Sequence, residues 1–184
     1  MFSILCEWID RQGVFLDEYE ATFSRFYLLS NDVSLTQVRD TEQNSRHYIH
    51  IPAYPVAEWL AFNWWSLFHE VENPLKRKQE LFSRHNLLSG SDGYAVPNIM
   101  FYPQGDTIEI LCSERNNDFS GLIFENKNQI FSFPYETMQN SFSAFIEVTI
   151  NRLKEKNILN TRLEKRWNLI THLSAEEECF ATIC

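Results

Sequence analysis

The chain predicts an α+β fold: antiparallel β-hairpins packed around a central tryptophan-rich helix, followed by a helical C-terminal section. Three observations carry this reading. Residues 59–68 read Trp-Leu-Ala-Phe-Asn-Trp-Trp-Ser-Leu-Phe, with three of the five tryptophans and apolar residues on nearly every face. A helix apolar all round is a buried helix, so other elements must wrap it. On either side of it, residues 4–52 and 97–133 hold short β-patterned runs between turn formers, as half-buried strands do. From about Thr137 the apolar residues fall instead on helical spacing.

The elements follow in order. Residues 4–9 form a short apolar strand, and residues 19–29 alternate through Ala21, Phe23, Arg25, Tyr27 and Leu29. Asn31-Asp32 supplies a turn into a strand over 33–39, so these two segments predict an antiparallel hairpin. Residues 47–52 give a fourth strand, with Ile49 and Ile51 on one face and Tyr48 and His50 on the other. Pro55 suits the first turn of the tryptophan helix, where no backbone donor is needed. That helix is expected over 55–72, with Pro74 helping to end it. Residues 76–97 are irregular and include the loop Leu87-Leu88-Ser89-Gly90-Ser91-Asp92-Gly93-Tyr94. Residues 99–102 and 107–112 flank the turn Pro103-Gln104-Gly105-Asp106 and predict a hairpin; residues 122–124 and 130–133 predict another around Asn126-Lys127-Asn128. Met138, Phe142, Phe145, Ile146, Ile150 and Leu153 make one buried helical stripe. Thr161-x-x-Glu164 reads as a capping box opening a second helix, and Ser174-x-x-Glu177 as one opening a third. That third helix reaches Cys184 with no glycine, asparagine or basic residue to finish it. The expected organisation is one domain, with a core over 1–136 and a helical section over 137–184 packed on it.

Composition narrows the class. A chain of 184 residues can bury a core without disulfides or metals. Hydrophobic residues at 44% and charged residues at 22% separate it from disordered chains. No apolar run approaches the ~20 residues that a membrane span needs. The first eleven residues carry Glu7 and Asp10 and lack a basic start, unlike a signal peptide. Cys6, Cys112, Cys179 and Cys184 show no Cys-x-x-Cys spacing and read as reduced thiols of a cytoplasmic protein. Net charge is −9 and uneven: residues 1–72 hold eleven acids and four bases, while residues 73–166 hold eleven acids and twelve bases. An acidic front half disfavours direct binding to a phosphate backbone. Its plain use is solubility; its sharper use is an acidic face for a basic partner.

The chemistry-bearing residues form no known catalytic signature. His69-Glu70 begins a zinc-protease pattern, but the position of the second imidazole is Asn73. His47 and His50 lie three apart on a strand, so they point to opposite faces and cannot share an ion. No glycine-rich phosphate loop or nucleophile elbow is present. No metal and no cofactor is therefore expected. The local site candidates are Arg84, His85, Ser89, Ser91, Asp92 and Tyr94, a guanidinium, an imidazole and hydroxyls beside a glycine loop.

The segment Tyr54-Pro55-Val56-Ala57-Glu58-Trp59-Leu60-Ala61-Phe62-Asn63-Trp64-Trp65, with Arg84-His85-x-Leu87 and Gly93-Tyr94-x-x-Pro97, resembles a bacterial module. That module is found upstream of zinc metallopeptidase domains of the ImmA/IrrE type. The resemblance is close over residues 54–101 and looser over 145–180. It implies a place in a regulatory or phage-related system, and the unfinished last helix fits a front module standing alone. The chain holds no His-Glu-x-x-His, so no peptidase activity carries over. The leading expectation is a non-catalytic interaction or sensing module with a protein partner. The alternatives are an acidic inhibitor of a nucleic-acid-binding protein, and a hydrolase using His85 and Asp92.

Overall fold

A computed structural model describes residues 1–10, 17–31, 33–40, 42–68, 98–113, 123–126 and 129–181. The fold is α+β. Its first sheet holds β1 (Phe2–Trp8), β2 (Phe23–Ser30), β3 (Val33–Ser34) and β6 (Ile49–Pro52), all antiparallel to their neighbours. A second sheet runs in the order β10 (Gln129–Pro134), β8 (Thr107–Ser113), β7 (Asn98–Gln104). A third, small sheet joins β5 (Ser45–Arg46), β4 (Val38–Arg39) and β9 (Ile123–Phe124). The helices are α1 (Glu18–Ala21), α2 (Tyr54–Phe62), α3 (Trp64–Phe68), α4 (Tyr135–Glu155) and α5 (Arg162–Ala181).

The tryptophan segment is helical and interior. Ala57, Trp59, Leu60, Ala61, Trp64, Leu67 and Phe68 are all buried, and α2 packs against both α4 and α5. The expected single helix is broken at Asn63, whose ψ of 8° leaves the helical range. The Asn63 side-chain amide donates to the Trp59 carbonyl at 2.8 Å, while its own backbone N–H donates to the same oxygen at 3.0 Å. A side chain competing for the i−4 carbonyl in this way bends a helix. The expected residues 69–72 lie outside the described residues.

One ring ties the layers together. Phe142 of α4 is 0% exposed and lies 6.0 Å from Phe2, 5.7 Å from Phe68 and 5.4 Å from Phe101, all edge-on. Those partners belong to the first sheet, to α3 and to the second sheet. Phe2 also meets Phe133 of β10 at 4.9 Å. The stripe expected on α4 is the one that is buried: Met138, Phe142, Phe145, Ile146, Ile150 and Leu153.

Several strands differ from expectation. Residues 19–21 belong to α1, capped by Asp17, whose Oδ1 accepts the Glu20 N–H at 2.8 Å. The strand expected over 33–39 splits into β3 and β4, which serve different sheets. Between them the buried Thr36 hydroxyl donates to the His47 carbonyl at 3.0 Å and accepts the Leu28 N–H at 3.2 Å. The expected hairpin of β9 with β10 is replaced by two separate pairings: Phe124 lies opposite Val38, and Phe131 opposite Ile110. Residue Ser174 falls inside α5, so the expected third helix continues the second. The capping box at Thr161 does form: its hydroxyl accepts the Glu164 N–H at 3.2 Å, and Glu164 reaches back to the Asn160 N–H at 3.0 Å.

Candidate interaction surface

The first sheet leaves β1 at its rim. Among the described residues, β1 pairs only with β2. In an antiparallel ladder, successive residues of a strand aim their backbone groups alternately toward and away from the partner. The Ile9 N–H donates to the Phe23 carbonyl and the Asn31 N–H to the Met1 carbonyl. The odd-numbered residues of β1 therefore face β2, and Phe2, Ile4, Cys6 and Trp8 aim their N–H and C=O groups outward. The Phe2 carbonyl confirms the parity, since it accepts from the Ser141 hydroxyl on α4 at 3.2 Å. Among the described residues, nothing takes the outward groups of Ile4, Cys6 and Trp8.

An open cavity of about 670 Å³ wraps this rim. On the core side it is walled by Ile4 with Ala144, Phe145 and Val148 of α4; on the outer side by Leu5, Glu7, Tyr27, Leu29 and His47. Leu5 is 51% and Val148 48% exposed. The helix keeps its place along the strand through contacts at both ends. Ser141 holds the Phe2 end. At the other end the Arg152 guanidinium lies over the Trp8 ring at 5.6 Å, donates to the Ala21 carbonyl at 3.1 Å and binds Asp10.

The outer face carries an aromatic and cationic cluster. Tyr27 and Tyr48 are 5.5 Å apart, Tyr48 and His50 5.2 Å, and the Arg25 guanidinium sits 5.2 Å from the Tyr48 ring. Arg25 also bridges to Glu7 at 3.2 Å, which raises its already high pKa. Burial raises the pKa of Tyr27. The Cys6 thiol is pushed up to about 12 by burial, with the Ser24 hydroxyl opposing only part of that. Such a thiol stays protonated near neutral pH and is a poor nucleophile.

Four described acids of the front half are each engaged separately. Asp10 is held below the usual carboxylate range by Lys156 and Arg152. Glu7 pairs with Arg25, Glu58 accepts from the Tyr54 hydroxyl, and Asp40 caps its own turn at Asn44. These four acids lie on separate elements; Asp10 and Glu7 are paired with cations, while Glu58 and Asp40 accept from neutral donors.

Arg84, His85, Ser89, Ser91, Asp92 and Tyr94 lie outside the described residues, as do His69 and Glu70. His47 is exposed beside the cavity, whereas His50 stacks on Phe23 with centroids 6.2 Å apart. Among the described residues, no three His, Cys, Asp or Glu side chains converge as a metal site, and no helix is long and apolar enough to cross a membrane. No family model, curated protein or solved structure matches the chain.

Sequence reasoning missed the β1 rim. A signal was present in Phe-Ser-Ile-Leu-Cys-Glu-Trp: it holds none of the lysines or prolines that guard exposed strand edges.

Proposed function

We propose that the chain is a non-catalytic protein-interaction module that receives a partner's extended segment along β1. The carrying observation is the outward backbone of Ile4, Cys6 and Trp8, flanked by the apolar wall of Ala144 and Val148. Strand addition takes its affinity from main-chain hydrogen bonds and its specificity from pockets for alternate side chains. The rim supplies both. The resemblance around the tryptophan helix supports a bacterial or phage-related regulatory setting, in the cytoplasm. The pairing of Asp10 with Arg152 and Lys156, and of Glu7 with Arg25, favours this reading over an acidic inhibitor.

Proline at position 6 provides the test. It removes an N–H that the β1–β2 ladder does not use, and prolines are tolerated on such outward edges. Affinity capture from the native host with the wild type and with Cys6→Pro should show the partner lost while the variant stays folded by circular dichroism, at a melting temperature lowered by the loss of the packed Cys6 side chain. Val148→Lys, a change on the exposed wall of the same cavity, should lose the same partner. Undiminished capture by both folded variants would refute the reading.

A further inference from the structure

Resting on that reading, we infer that the segment received by β1 is a basic one from another protein, apolar on the side that meets α4. One acid lines the rim and two more lie on the α4 ridge beside it. Glu7 lines it from β1, with 58% of its side chain exposed. Glu147 and Glu155 lie on the exposed ridge of α4 with Ala144 and Val148, because residues three, four, eight and eleven apart share one side of a helix. Among the described residues no basic side chain pairs with Glu147, and Glu155 meets only Arg152, at 3.7 Å. Among the described residues, Arg25 is paired with Glu7, and Arg152 and Lys156 with Asp10. Glu7 is paired with Arg25, so the negative charge left to the rim lies on its α4 flank, at Glu147 and Glu155, beside an apolar floor. A second copy of the chain would set these acids against their own kind, in a protein of net charge −9. A lysine- or arginine-bearing strand answers the charge while its alternate apolar side chains meet Ile4, Ala144 and Val148.

The test uses the whole chain and two synthetic peptides, one alternating valine with lysine and the other valine with glutamate. At low salt the lysine peptide should bind about tenfold tighter or better, and the gap should shrink at ~0.5 M salt, where charges a few ångströms apart are screened. Bound peptide should slow amide exchange at Ile4 and Cys6. The double variant Glu147→Lys, Glu155→Lys should lose or reverse the preference. Equal binding of both peptides would overturn the charge inference and leave the docking rim standing. So would a concentration-dependent dimer that protects the Ile4 and Cys6 amides without any peptide. Failure of both peptides to bind, with those amides fast, would also overturn the basic segment. Slow amides at Ile4 and Cys6 in the dilute monomer would sink the rim itself, and the proposed function with it.

Discussion

Phe142 shows how much of this molecule one side chain can hold. Its ring is fully buried and touches a sheet on either side as well as α3. Aromatic pairs at these edge-on angles contribute beyond their buried area. Removing the ring loses transfer energy and leaves a cavity whose lining cannot collapse, since three separate elements frame it. Phe142→Ala should therefore cost about 4 kcal/mol in urea unfolding, and Phe142→Leu clearly less, because most of the volume stays. A loss below about 1 kcal/mol for the alanine variant would mean that the layers do not meet at this ring. The polar counterpart is Arg152, a largely buried cation satisfied by the Ala21 carbonyl, Asp10 and the Trp8 face together.

The α4–α5 junction decides how the two long helices meet, and it is written in the backbone. Asn157 has φ of 60°, the left-handed conformation that ends many helices. The Asn157 N–H bonds the Lys154 carbonyl at 2.9 Å, and the Ile158 N–H bonds the Leu153 carbonyl at 2.9 Å. This paired closure satisfies carbonyls that the helix would otherwise leave open. Lys154 then bridges to Glu164 at 3.0 Å, joining the end of α4 to the cap of α5. Asparagine tolerates the left-handed region better than other side-chain-bearing residues, and glycine best of all. Asn157→Ala should accordingly lower stability by about 1 kcal/mol, with Asn157→Gly near neutral. Equal losses for both in thermal or urea melts would show that the asparagine side chain, and not its backbone angle, carries the turn.

Across the whole molecule, what was legible in the sequence depended on the range of the interaction. The β7–β8 hairpin was legible because Gly105, at φ of 55°, turns it locally. The buried stripe of α4 was legible because six apolar residues repeat on one face. The partners of β9 were not, since two residues carry no pattern that could choose β4 over β10. Nor was the open rim of β1, because which strand lies outermost is a property of the assembled sheet. Ionisation is likewise set by the assembled fold, and it predicts how stability varies with pH. Asp10, Asp40 and Glu164 have lowered pKa values, held down chiefly by Lys156, the Asn44 backbone and Lys154 respectively. Their contribution is present above the unfolded carboxylate range of about 4 and is lost as pH falls below it. Cys6 works in the opposite direction: its thiol is raised from 9.0 to about 12. The unfolded chain gives up that proton first, so its contribution is whole below the unfolded value and falls away as pH climbs toward the folded one. Melting temperature should thus be level near neutrality and fall on both sides. In Cys6→Ala the acid limb should persist and the first part of the alkaline fall, near pH 9, should flatten, leaving the later part to the Tyr54 and Tyr27 hydroxyls that burial also raises; an unchanged onset near pH 9 would show that the thiol is not shielded from water in the folded chain.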